Sequence, residues 1–191
     1  HSLDVIHGRL STNNVLVSRS LEFYVDDFQA LLTARRIDFV DLYVSDPLTV
    51  IRRGIISPAH DVYSFGLMLY KAVTGEDFVS RVLLNLALVK KFYGAAVLQG
   101  IPRAAELIER NREVFQKIER AVDDVNLSSQ PSRNLGELKE RFAEIDEYYL
   151  SSVEDRWVRD LISRSAELNI ERRYRDAIHM FSEVVKKGSR P

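Results

Sequence analysis

Cysteine is absent from this chain of 191 residues. A disulfide framework, a cysteine-ligated zinc site and a thiol nucleophile are therefore excluded. A chain without cysteine suits a reducing compartment but does not require one, so a cytoplasmic location is an expectation only. The chain also begins with His1 rather than methionine and shows no charged-then-apolar leader, which we interpret as a fragment.

The chain also lacks an excess of charge of either sign and a long uncharged apolar run. It carries 27 Lys and Arg against 28 Asp and Glu, and this balance provides no global field that would attract nucleic acid. The most apolar stretch, residues 82–98, is interrupted by Lys90 and Lys91, and no run reaches the roughly eighteen residues of a membrane span. We expect neither a nucleic-acid partner nor a membrane span.

The composition that is present is that of one ordinary globular domain. Hydrophobic residues make up 46% of the chain and charged residues 29%. A domain of this length buries roughly two-thirds of the surface of its unfolded chain, so it needs no metal or disulfide to be stable.

Residues 5–44 are rich in short apolar runs and turns. The runs at 15–17 and 21–25 are separated by Ser18-Arg19-Ser20, which predicts a β-hairpin. From Asp61 the pattern becomes helical, with apolar residues nearly all round up to Gly75, which predicts a central buried helix. The stripe assigned to its buried face is Val62, Phe65, Leu69 and Val73.

Four further helices are predicted by apolar residues recurring at spacings of three and four. The first covers residues 103–125 and the second 135–149, with a loop at 126–133 between them. The third begins at Ser151-Ser152, whose spacing to Glu154-Asp155 is that of a capping box. The last ends at Gly188, and its stripe is Ala177, Ile178, Phe181, Val184 and Val185.

Four motifs occur in order along the chain. The first is His7-Gly8-Arg9-Leu10 with Asn14, and Asp27-Phe28-Gln29 follows thirteen residues after Asn14. Asp61-Val62-Tyr63-Ser64-Phe65-Gly66 is the third, and the last runs from Arg159 to Arg173. Together they resemble the H-R-D-L-x-x-x-N catalytic loop, the D-F-G segment, the F helix and the H helix with its closing arginine of the protein kinase family.

The resemblance implies a mainly α fold, α+β overall. Residues 1–191 would form one kinase-like C-terminal lobe, with a small β-hairpin near the cleft and a helical insertion at 100–150 before the H helix. The family's Gly-rich loop and β3 lysine precede the catalytic loop, so the N-terminal lobe would lie on missing sequence or on another chain.

The chemistry implied by the resemblance depends on Arg9, which stands where the family has its catalytic base. Arginine stays protonated at any working pH and cannot accept the hydroxyl proton. Gly8 and Gln29 also depart from the family pattern. The resemblance therefore implies a pseudokinase that acts as a scaffold or allosteric regulator in signalling and binds a protein partner, for example a kinase. The alternatives are an ATP- and Mg²⁺-binding enzyme of non-standard catalytic geometry, and a decoy that presents a kinase-like surface.

Asn14 and Asp27 match the two positions that hold Mg²⁺ in the family, and both supply hard oxygen ligands. Mg²⁺-ATP is the only cofactor that the sequence indicates. The competing interpretation is that each side chain hydrogen-bonds its own loop, which is favoured by Gln29 in place of the conformationally free glycine. For His7 the resemblance implies a structural role beneath the loop.

The family's A-P-E motif would fall at Asp46-Pro47-Leu48, where its glutamate is missing. That glutamate pairs with an arginine that Arg173 matches. A buried arginine without a partner is costly. We therefore expect Arg173 to be solvated, or to pair with another acid such as Glu171 or Asp61.

Two interpretations are open for the helices of residues 100–150. The favoured one is that their stripes pack on each other as a helical hairpin, and the other is that one stripe docks a partner protein. Some large apolar surface would stay exposed in either case, with Phe115, Phe142, Tyr148 and Tyr149 as its candidates. On this view residues 103–150 can be deleted without unfolding the lobe.

Overall fold

The computed structural model describes residues 6–8, 10–20, 22–26, 42–52 and 57–188. Within these ranges the protein is mainly helical, as predicted, and its only sheet has two antiparallel strands. Strand β1 is Val15–Val17 and β2 is Phe23–Val25. Val15 lies opposite Val25 and Leu16 opposite Tyr24, and the Ser18 amide donates to the Glu22 carbonyl across the turn. The predicted hairpin is confirmed.

Ten helices follow in the described part of the chain. They are α1 (Pro47–Arg52), α2 (Pro58–Thr74), α3 (Val79–Tyr93), α4 (Ala95–Gln99), α5 (Ala104–Arg110), α6 (Arg112–Asp124), α7 (Pro131–Glu140), α8 (Ala143–Leu150), α9 (Arg156–Ser165) and α10 (Ala177–Gly188). None of the helices in these ranges is long and apolar enough to cross a membrane.

Helix α2 ends as the sequence predicts, at Gly75. This glycine has φ 78°, and its amide donates to the Lys71 carbonyl, an arrangement that glycine adopts without a steric penalty. The helix starts three residues earlier than predicted, with Pro58 in its first turn. The predicted buried face is only partly correct, because Val73 is 49% exposed whereas Tyr63 and Leu67 are almost fully buried.

Helix α2 lies between two groups of apolar residues, which explains why no single stripe describes it. Tyr63 and Leu67 belong to the main core, and Val62 packs on a smaller cluster with Leu161 and Met180. Helix α2 also packs closely against α9. A Cβ added at Gly66 would lie 2.7 Å from the Ser165 Cβ, so only glycine allows the two helices to be this close.

Helix α3, rather than α2, is the most enclosed element. Its residues 80–89 are all buried, and α6 packs along it. The Lys90 ammonium pairs with the Glu119 carboxylate, while Lys91 donates to carbonyls at the end of α6, including those of Val122 and Val125. The prediction that residues 61–75 form the centre of the core is corrected accordingly: that helix is central, but α3 is more deeply buried.

The predicted helical hairpin of residues 103–150 is wrong. The stretch forms four helices, broken at Asn111 and again at 141–142, and α6 packs chiefly on α3, which α8 also contacts. Phe115 and Phe142 are 5% and 2% exposed and belong to the main core. Only Tyr148 of the four large residues projects into solvent, at 73% exposure. These helices therefore contribute to the main core of the fold.

The last two helices differ from the prediction: α9 in the residue at which it begins, and α10 in the face that is buried. Asp155, not Ser151, caps α9, and its carboxylate accepts from the Val158 amide. In α10 the buried residue is Met180, which packs with Val62 of α2. Ile178, Phe181 and Val185 of the predicted stripe are each more than half exposed.

Candidate functional site

A single carboxylate holds the start of the loop that contains the first motif. The His7 amide donates to Asp61 Oδ2 and the Gly8 amide to Asp61 Oδ1, both at 2.7 Å. Asp61 lies in the first turn of α2 and is only 6% exposed. Burial raises the pKa of this carboxyl group, against the opposing effect of the two amide hydrogen bonds. Asp61 therefore positions the backbone immediately before residue 9, and it is not the partner of Arg173.

The His7 side chain joins this loop to the hairpin. Its Nε2 lies 2.7 Å from the carbonyl oxygen of Asp26, which can only accept, so Nε2 carries the proton. The ring is buried at 5% exposure. Its predicted structural role beneath the loop agrees with this geometry.

Asn14 bonds its own loop. Its Oδ1 accepts from the Ser11 amide at 2.8 Å, and its side chain is buried. The Asp26 amide donates to the Asn14 carbonyl at 2.8 Å, which brings Asn14 next to the end of β2. For Asn14 the local hydrogen bond is therefore present, and in the described ranges no three acidic or histidine side chains form a metal-binding group.

Of the sequence-predicted residues, the structure thus places His7, Gly8 and Asn14 in one loop. Asp61 anchors the amides of His7 and Gly8, and Asn14 bonds Ser11 of the same loop. Arg9, Asp27 and Gln29 lie outside the described residues. Gly8 has φ 71°, a left-handed conformation that glycine adopts readily.

Arg173 is paired, and its partner is Asp46. Arg173 Nη1 forms an ion pair with Asp46 Oδ2 and donates to the Ala59 carbonyl at 2.9 Å, while Nε donates to the Glu167 carbonyl. Both charged side chains are completely buried. The expectation of a solvated Arg173 is therefore wrong. The alternative expectation, that another acid compensates, is confirmed, but the acid is Asp46 and not Glu171 or Asp61.

Asp46 also caps α1. Its Oδ1 accepts from the Leu48 amide at 2.9 Å, and Pro47 takes the first helical position. An aspartate followed by proline is a helix-start signal that the sequence displays. The family's glutamate would fall at Leu48, so the acid two residues earlier was overlooked as the partner of Arg173.

A second buried ion pair was not foreseen from the sequence. Arg81 Nη2 of α3 lies 2.7 Å from Asp146 Oδ2 of α8, and Ser80 Oγ donates to the other carboxylate oxygen. Both side chains are less than 5% exposed. This pair fixes α8 to the most buried helix of the fold.

Comparisons of the chain with protein-family models, with curated proteins and with solved structures returned no match.

Proposed function

We propose that this chain is the C-terminal lobe of a protein kinase-like domain that has lost phosphoryl transfer, and that it acts as a scaffold or allosteric regulator through contacts with a protein partner. The observation that carries the proposal is the pair of hydrogen bonds from the His7 and Gly8 amides to Asp61. They join the first and third of the four ordered motifs, which lie more than fifty residues apart.

Two further contacts support the same proposal. The His7 ring links the first motif to Asp26, directly before the second motif. Arg173 of the fourth motif pairs with Asp46, two residues before Leu48, which stands where the A-P-E glutamate is missing. The first, third and fourth motifs are thus each tied to a distant part of the chain, as a shared fold requires, while the second motif lies outside the described residues. Unrelated helices with chance motifs would give no reason for these contacts.

The proposed loss of activity rests on the sequence of the first motif. Arg9 stands in the sequence where the family's catalytic loop has its base, directly after the two residues whose amides bond Asp61. Phosphoryl transfer needs a carboxylate there to orient the hydroxyl and accept its proton. A guanidinium is a permanent cation and accepts no proton.

We therefore expect no phosphate transfer from Mg²⁺-ATP to a generic protein substrate above background, and no rise in melting temperature with millimolar Mg²⁺-ATP. A micromolar site would add about 4 kcal/mol at that concentration and be plain in a thermal scan. The measurements are a radiometric transfer assay and a thermal denaturation series. Turnover, or a shift of several degrees, that Asp27→Ala removes would overturn the proposal in favour of an ATP-binding enzyme.

The hairpin is the surface best suited to the partner. Leu16, Val17 and Tyr24 are each more than half exposed and Val25 is 40% exposed. These side chains lie on both faces of the sheet, because successive residues of a strand alternate. A two-stranded hairpin is marginal in water without a covering layer. Leu16 and Tyr24 lie opposite each other on one face and form an exposed apolar pair that suits an apolar surface of a partner.

Replacing Leu16 and Tyr24, which face each other across the strands, by glutamate should abolish capture of the partner from native extract. The matched control is Ile178→Glu with Phe181→Glu, which places the same charge on the similarly exposed apolar residues of α10. We expect the control to recover the partner at the level of the unmodified chain. Recovery that depends on α10 and not on the hairpin would contradict this assignment.

A further inference from the structure

A small polar cavity lies beside the first motif and is not used by the proposed function. Its volume is about 160 Å³, below the roughly 300–1,000 Å³ of sites for drug-sized ligands. It therefore suits a single small group and not a nucleotide. The lining residues are Ser11, Thr12, Asn13, Tyr43, Val44, Lys71, Asp77 and Arg103.

The charges around this cavity favour an anion. Lys71 Nζ bonds Asp77 Oδ1 at 2.8 Å, and a lysine ammonium has two further N–H donors. Arg103 forms no ion pair with any described residue, although other arginines of this region, such as Arg112, do. Because Lys71 neutralises Asp77, the charged residues of the lining leave a net charge of one positive unit, that of Arg103. Glu106 lies nearby but does not line the cavity.

The neutral groups of the cavity are suited to oxygen ligands. Thr12 and Asn13 are exposed and offer a hydroxyl and a side-chain amide. Arg103 contributes a planar fork of N–H donors that matches phosphate geometry. It is held with φ 61°, a left-handed conformation that is unfavourable for a residue with a Cβ and that a binding role would justify.

We infer that this cavity binds a phosphate group, with Arg103 and Lys71 as its cationic contacts and Thr12 and Asn13 as hydrogen-bonding groups. Phosphate is preferred to carboxylate because it carries up to two negative charges and three strong acceptor oxygens, against the single charge of a carboxylate. The inference does not rest on the proposed pseudokinase function.

The test is a titration of the full chain with inorganic phosphate at constant ionic strength, followed by amide NMR shifts. We expect saturable shifts at residues 11–13 and 103. Arg103→Gln should weaken binding about tenfold or more, the usual effect of losing one charged hydrogen bond. Arg110→Gln is the matched control, because Arg110 is an exposed arginine of the same helix, and it should change the affinity less than twofold.

Two further arms separate binding from folding and identify the source of the phosphate. Arg103→Gly should raise the melting temperature, since glycine tolerates the left-handed conformation, yet lose phosphate binding. A phosphoserine peptide that binds more tightly than inorganic phosphate would identify a modified protein as the source, and equal affinity would identify the free ion. Non-saturating shifts, an equal loss in Arg110→Gln, or equal binding of the matching glutamate peptide would overturn the inference.

Discussion

Asp46→Ala should lower the free energy of unfolding by about 3–5 kcal/mol, because it leaves the fully buried Arg173 guanidinium without its counter-charge. It also removes the cap of α1. A domain has only about 5–15 kcal/mol of stability in total, so this single change brings the protein close to unfolding at room temperature. The measurement is a urea denaturation curve, read as the shift of its midpoint.

Glu171→Ala is the matched control for Asp46→Ala. Glu171 is the exposed acid nearest in sequence to Arg173, and its removal should change stability by less than about 0.5 kcal/mol. The double substitution Asp46→Leu with Arg173→Met should recover much of the loss, since replacing both members of a buried pair by apolar residues leaves no unpaired charge. A neutral Asp46→Ala would show that the ion pair does not form in solution.

Deleting residues 103–150 and closing the gap with a Gly/Ser linker should leave no cooperatively folded protein. The deletion removes Ile118, Leu135 and Leu138, each completely buried, together with all of α6 and α8, which pack on α3. Each buried apolar side chain contributes about 1.5–3 kcal/mol, so these three alone are comparable with the stability of a typical domain. The buried Phe115, Val122 and Phe142 are lost with them. Thermal denaturation followed by circular dichroism is the measurement.

A point substitution tests the same packing without a large deletion. Ile118→Ala should cost about 2–5 kcal/mol through lost burial and a cavity against α3. Lys117→Ala, one position earlier and exposed on α6, should be nearly neutral. A sharp melting transition of the deleted protein, close to that of the full chain, would instead show that residues 103–150 are a separable insertion.

The burial of this region bears on where a partner binds. The apolar residues that suggested a docking helix are occupied: Phe115 and Phe142 pack in the main core. The hairpin, whose apolar side chains are exposed, is joined instead to the start of the first motif through the hydrogen bond between His7 and Asp26. Under the proposed function a partner would therefore bind at the hairpin, which the capture experiment tests.

Local features of the chain were predictable from the sequence. The periodicity of apolar residues predicts helical structure from Asp61 onward, although not the breaks at Asn111 and 141–142. Two short runs around a serine-rich turn predict the hairpin, and Gly75 marks the end of α2. Each of these features is encoded by residues that are close together in the sequence, because helix capping and amphipathic spacing act over one or two helical turns. That none of the helices in the described ranges could cross a membrane also agrees with the sequence, in which charged residues interrupt every long apolar stretch.

Partners distant in the chain were decided only by the tertiary structure. Asp46 and Arg173 are 127 positions apart, and nothing local shows that a capping aspartate also neutralises a buried arginine. Asp61 was a candidate for that role but binds the amides of His7 and Gly8. The buried face of α2 and the packing of α6 on α3 are also nonlocal. Because α2 is apolar nearly all round, the spacing of its apolar residues does not show which side faces which neighbour. The shapes and charges of the neighbouring helices decide that packing.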